Sequence, residues 1–247
     1  MWNAETIVII TLTFVVAGLT KGVTGLGLPT VSLAVLTAFL GLKEAMVLML
    51  IPSFVTNVWQ AFDGPHFKAV MRRFWLLMVV GFLGTWATAG LLIRADTAYL
   101  AAFLGFLIVV YAVLGLSPVK IPNPGRQEPW LSPLIGGVTG AFTGLTGSFV
   151  VPSVPYFQSL GLPRDYLVQV MGAWFSVATL ALGLALGWQN LMPVDQGLAS
   201  CAALLPAAIG MILGQKIRKN LSEQVFRKVL FITLLILGVY ITVGALP

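Results

Sequence analysis

The chain has 247 residues, 58% of them hydrophobic and only 9% charged, against about 25% charged in an ordinary soluble domain. So little charge excludes a soluble fold: the apolar residues must face lipid as well as each other, and at roughly 20 residues per crossing the length allows about eight to ten membrane segments and no separate soluble domain. The net charge of +6 and the pI near 9.7 fit an excess of Lys and Arg in cytoplasmic loops, no basic motif interleaved with aromatics points to nucleic acid, and one Cys with one His excludes an internal disulfide and a Cys/His metal site.

In chain order the predicted helical segments are 6–20, 28–40, 45–62, 74–93, 97–116, 131–142, 149–160, 166–187, 197–214 and 229–246. Residues 1–5 contain no Lys or Arg, so the first segment is expected to be retained and not removed as a signal peptide. The Pro-rich polar stretch SPVKIPNPGRQEP (117–129) divides the chain almost in half. Trp2, Trp130 and Trp188 sit at segment ends and read as interfacial anchors.

The halves read as copies. GLKEA (41–45) matches GLPRD (161–165) at an offset of 120, TGL at 24–26 matches TGL at 143–145 at an offset of 119, and GLLIR (90–94) matches GQKIR (214–218). Each half holds five segments, and an odd number makes the second copy enter from the opposite side. The expected fold is therefore an all-α polytopic membrane protein of two inverted repeats: 1–117 and 131–247, joined by a linker, 118–130, within one membrane domain. Alternating the segments puts Lys68, Arg72, Arg73, Lys120, Arg126, Arg164, Lys216, Arg218, Lys219, Arg227 and Lys228 on one side and only Lys43 and Arg94 on the other. By the positive-inside rule the first side is cytoplasmic, with the linker inside and both termini outside. Segment 28–40 is short and 149–160 shorter, with Pro152 and Pro155 inside it. The first two segments of each half are therefore expected to be short, broken or re-entrant.

Two Gly/Thr turns carry the candidate chemistry: Lys21-Gly22-Val23-Thr24-Gly25-Leu26-Gly27 and Thr143-Gly144-Leu145-Thr146-Gly147-Ser148. Each precedes the start of a short helix, where unpaired N–H groups and the positive dipole end favour an anion. Glycine allows close approach to that backbone. Helix packing through small residues would also explain one such turn, but two in equivalent positions favour a site. Lys21 lies at the end of a membrane segment, where a cation is costly and usually functional; snorkelling to a surface is the alternative. Ser53, Thr56, Asn57 and Gln60 share one helical face, and Gln169, Ser176 and Thr179 occupy the counterpart segment. The expected binding residues are Lys21, Thr24, Gly25, Gly27, Asn57, Thr143, Gly144, Thr146, Gly147, Ser148, Gln169 and Trp174, with no catalytic residue, metal or cofactor. The eight acidic residues all lie at segment ends or in loops, which removes the usual buried proton-relay carboxylate.

The stretches GVTGLGLPTVSL (22–33), followed by GLKEA, and GAFTGLTGSFVVPSV (140–154), followed by GLPRD, resemble the sulfite exporter TauE/SafE family of membrane permeases. The resemblance covers nearly the whole chain, including its length and two-half layout. It implies a carrier of sulfite, sulfonates or related small anions in a bacterial-type inner membrane. The expected function is thus secondary transport of a small anion, most simply export of sulfite or an organosulfonate, by alternating access around a midplane site made by the two turns. An anion channel, or a carrier of a small carboxylate on the same architecture, is the alternative. An intramembrane enzyme using Ser148 lacks a base. The partners expected are the small anion and the lipid bilayer, with no nucleic acid; a homodimer is compatible with the reading.

Overall fold

The computed structural model describes residues 3–118, 121–218 and 222–245. Trp2, expected as an interfacial anchor, and the loop cations Lys120 and Lys219 lie outside the described residues. The chain forms the helices α1 (Ala4–Thr24), α2 (Leu28–Leu40), α3 (Leu42–Phe62), α4 (Phe67–Ala89), α5 (Leu91–Arg94), α6 (Thr97–Leu116), α7 (Glu128–Thr146), α8 (Ser153–Ser159), α9 (Arg164–Trp188), α10 (Val194–Ile217) and α11 (Glu223–Ala245). Among the described residues there is no strand. Among the described residues seven helical spans are long and apolar enough to cross a bilayer: α1, α3, α4 with α5, α6, α9, α10 and α11. The protein is an all-α, multi-pass membrane protein.

The helices match the predicted segments one for one, except that 74–93 divides into α4 and α5 at Gly90. The second helix of each half is short, with 13 residues in α2 and seven in α8. The first is not: α1 has 21 residues and α7 has 19, so α1 reaches about 31 Å at 1.5 Å per residue. The polar run from Lys21 was expected to break α1. Instead the helix continues through it to Thr24, because Lys21 and Gly22 are buried and Gly22 is pressed against α10. At the other end the Asn3 side chain accepts the Thr6 N–H at 2.8 Å and caps α1.

Two compact units form, and neither is a half of the sequence. The first comprises Met1–Pro52, Thr97–Ser117 and Met192–Pro247; the second comprises Ser53–Asp96 and Pro118–Leu191. In the first, α1 packs on α10, and α6 on α11. In the second, α4 packs on α7 and α9. Glycines make both main crossings. A Cβ on Gly18 would lie 2.1 Å from the Ala207 carbonyl oxygen, and one on Gly210 2.1 Å from that of Val15. In the second unit a Cβ on Gly140 would lie 2.1 Å from the Gly81 oxygen, and one on Gly84 2.7 Å from the Gly137 oxygen. Gly22 against Met211 in one unit matches Gly144 against Thr85 in the other. Such contacts bring helix backbones together where burial of apolar surface offers no drive, because lipid is as apolar as the partner helix. The same crossing therefore occurs in each unit, position for position, with α1 matching α7 and α10 matching α4.

In the second unit α4, α7 and α9 all begin at one end. There Arg73 of α4 forms a two-pronged ion pair with Glu128 of α7, at 2.6 and 2.8 Å, and the His66 ring lies 5.1 Å from that of Tyr166. The α7–α8 pair returns to that same end. Asn123, just before α7, donates to the Leu160 carbonyl at 3.2 Å, and Ser132 of α7 hydrogen-bonds Tyr156 of α8. The α7–α8 pair thus doubles back on itself within the second unit.

Within the first unit α3 carries Pro52, which has no N–H for the Leu48 carbonyl. The Ser200 hydroxyl of α10 donates to that carbonyl at 2.8 Å and accepts the Ile51 N–H at 3.2 Å. One side chain thus satisfies the groups on both sides of the helix interruption.

Candidate functional site

Each Gly/Thr turn ends a long helix with a left-handed residue. Gly25 has φ 78° and its N–H donates to the Lys21 carbonyl at 2.8 Å. Gly147 has φ 74° and its N–H donates to the Thr143 carbonyl at 2.8 Å. L side chains enter this region at a cost, so glycine supplies the helix ends. The preceding threonine shapes the turn in both cases. Thr24 Oγ1 donates to the Thr20 carbonyl at 2.9 Å and accepts the Leu26 N–H at 3.1 Å. Thr146 Oγ1 donates to the Phe142 carbonyl at 2.8 Å and accepts the Ser148 N–H at 3.2 Å. The geometric counterpart of Thr24-Gly25 is therefore Thr146-Gly147, an offset of 122 (146 − 24), and not the TGL match at 119 that the sequence offers. On this alignment Lys21 corresponds to Thr143, whose hydroxyl donates to the Thr139 carbonyl at 2.8 Å.

The two turns lead into different structures. Gly27, at φ 99°, stands at the head of α2, which starts at once with Pro29 in its first turn and has no side-chain cap. The first-turn N–H groups of α2 have no acceptor within the helix. Residues Thr24 to Gly27 are partly exposed, whereas Lys21, one turn earlier, is buried at 6% exposure. Lys21 does not run out to the surface as a snorkelling lysine would. In the second unit Gly147 leads into the irregular stretch from Ser148 to Pro152 before the seven-residue α8. The second turn does not open directly into a helix start, contrary to the expectation, because a proline at 152 and another at 155 shorten the helix that could form. Residues Thr146 to Val150 are buried.

The remaining candidates separate by what they bind. Trp174 is fully buried, and its indole N–H donates to the Phe149 carbonyl and the Ser153 hydroxyl, both at 3.0 Å. It therefore anchors the stretch after the second turn. Gly144 is pressed against Thr85 and Thr88 of α4 and belongs to the helix crossing. Asn57 is fully buried on α3. Gln169 donates to the Ala61 and Gly64 carbonyls at 2.9 and 3.1 Å and accepts the His66 N–H at 2.7 Å. Its amide is spent on the α3–α4 connection. Replacing Gln169 by Leu leaves the Ala61 and Gly64 carbonyls and the His66 N–H without this partner, at about 1–3 kcal/mol for the buried Ala61 carbonyl and less for the other two, which are partly exposed. The expected result is a clearly lower Tm with unchanged transport per folded molecule, measured by thermal unfolding and flux on one preparation. Lys21, Thr24, Gly25 and Gly27 belong to the first unit, and the other candidates to the second.

The glycine crossings were not anticipated from sequence, although the signal is present in the four-residue spacing of Gly18 and Gly22, of Gly136, Gly140 and Gly144, and of Gly210 and Gly214. The groups that surround Gln169 and Ser200 leave no local signal, because their partners are more than 100 residues away.

Among known proteins, the family model described as "Sulfite exporter TauE/SafE" matches residues 10–241. No curated protein and no solved structure matches significantly. The match takes in both turns, both glycine crossings and all seven long spans in whole or in large part. With its multi-pass helical fold, the chain belongs to the sulfite exporter TauE/SafE family of membrane transporters.

Proposed function

We propose that the protein is a secondary transporter that exports a small anion, sulfite or an organosulfonate, by alternating access. The observation that carries this reading is the first turn. There a buried lysine precedes a left-handed glycine turn that is partly accessible and leads straight into an uncapped helix start. A cation and a set of oriented N–H groups together favour a compact anion with several acceptor oxygens. In this reading Lys21 binds through its charge and Gly27 through the main-chain N–H groups at the head of α2, while Gly25, Thr24, Thr143 and Thr146 hold the turns in shape. Gly147, Ser148 and Trp174 shape the second turn, and Asn57 is a buried neutral side chain of the second unit. Gln169 and Gly144 serve packing.

The matching glycine crossings support two repeats, 1–117 and 131–247. The opposed charge distribution supports their inversion, with both termini outside and the linker in the cytoplasm of a bacterial-type inner membrane. The test is flux of radiolabelled sulfite in proteoliposomes. Saturable uptake with counterflow, competed by methanesulfonate and not by acetate, is the expected result. Non-saturating flux with single-channel currents would make it a channel, and competition by acetate would make it a carboxylate carrier.

A further inference from the structure

The chain passes from one unit to the other at residues 52–53, 96–97, 117–118 and 191–192. The last three crossings lie in loops, and the first lies in the middle of α3. Among the described residues α3 is therefore the one helix that the units share. Its two arms are fastened to different helices. In the first arm the buried Ser200 hydroxyl of α10 donates to the carbonyl of the fully buried Leu48 at 2.8 Å. In the second arm the Gln60 amide donates to the Val168 carbonyl of α9 at 2.9 Å. Gly172 of α9 presses on the same arm, where a Cβ would lie 2.6 Å from the Ala61 nitrogen. The arms meet at Pro52.

Proline inside a helix removes one backbone bond and crowds the carbonyl four residues back, so the helix bends there. Within a bilayer no water reaches the freed carbonyl, and a side chain must satisfy it. Ser200 does so, and the same oxygen accepts the Ile51 N–H at 3.2 Å. A hydroxyl is donor and acceptor on one rotatable atom, so both bonds can follow a change in bend angle. A kink that only shaped the helix could sit anywhere along it. This one falls where the chain leaves one unit for the other.

We infer that Pro52 is the hinge on which α3 bends during transport, with Ser200 as the pin that keeps the Leu48 carbonyl satisfied as the angle changes. This inference rests on the alternating-access reading. Pro52 and Ser200 are positioning residues: they set turnover and leave the affinity for the anion unchanged.

The experiment compares wild type, Pro52→Ala and Ser200→Ala. Pro52→Ala restores the missing N–H and stiffens the helix. It is expected to keep wild-type equilibrium binding of radiolabelled sulfite and to lower turnover in proteoliposomes about tenfold or more. Ser200→Ala should lower Tm in the wild-type background and leave it unchanged in the Pro52→Ala background, where the restored N–H takes the Leu48 carbonyl. Motion is read without substrate by double electron–electron resonance, in a Cys201→Ala background. The spin labels replace one exposed residue of each unit, Lys228 and Arg72. Wild type should give a broad distance distribution and Pro52→Ala a single narrow one. Wild-type turnover in folded Pro52→Ala protein, a loss of affinity as large as the loss of turnover, or identical distributions in the two proteins would overturn the inference. If Pro52→Ala does not fold, Ser200→Ala decides: removing the pin should broaden the distribution, and an unchanged one overturns the hinge. A wild type that moves no sulfite, with distances that narrow in Pro52→Ala, would refute the transport reading and leave the hinge standing.

Discussion

Replacing Gly140 by Val is expected to abolish accumulation of folded protein, and Gly140→Ala to lower stability by about 3 kcal/mol or more. The Cβ would sit 2.1, 2.8 and 2.9 Å from the oxygen, carbon and Cα of Gly81, all of them backbone atoms. No side chain can rotate away, so relief requires α4 and α7 to separate along their main contact. The matching change in the first unit, Gly18→Val, meets the Ala207 carbonyl at 2.1 Å and should fail in the same way. Gly137 is the control. It lies on the same helix, but a Cβ there meets no backbone, only a methyl of the Val80 side chain at 3.1 Å. Size-exclusion profiles and Tm values in detergent provide the readout: a monodisperse, stable Gly140→Val protein would refute the crossing as described.

Replacing Lys21 by Met is expected to reduce sulfite transport about 100-fold or more with no loss of thermal stability. Lys21 is buried in the last turn of α1. Holding a cation there is costly unless its environment and its ligand compensate. If the transported anion supplies part of that compensation, removing the charge costs about 2–5 kcal/mol of binding, the range seen when one member of a buried charge pair is truncated. Met keeps the length and the packing of the stem. Uptake of labelled sulfite per folded molecule, measured beside Tm, checks both halves of the prediction. Normal uptake would remove Lys21 from the transport site.

Much of the fold was legible because apolar runs long enough to cross a bilayer leave little freedom of interpretation. Segments 28–40 and 97–116 coincide with α2 and α6 at both ends. Differences arise where polar residues read as interruptions. Lys21 and Gly22 stay helical because both are buried and α10 packs on Gly22, and tertiary packing is invisible in a local pattern. The offset between the turns differs for a related reason. Thr-Gly-Leu occurs twice in sequence, but the feature that defines the turn is a threonine hydroxyl bonded to the carbonyl four residues back and to the N–H two residues on, and that selects Thr146 over Thr143. Helical periodicity alone places Gln169 on a binding face. Its partners at Ala61, Gly64 and His66 are set by how α9 meets the α3–α4 connection, which periodicity does not encode.

The central claim is that the first Thr-Gly turn holds one small anion, and equilibrium binding of radiolabelled sulfite to purified protein tests it most directly. The variant to compare is Gly25→Val, which puts a β-branched residue at a left-handed position, φ 78°. The account predicts a single saturable site in wild type and at least about tenfold weaker binding in the folded variant, a loss of roughly 1.4 kcal/mol. Wild-type affinity in the folded variant would contradict it, because the turn would then be dispensable to the anion.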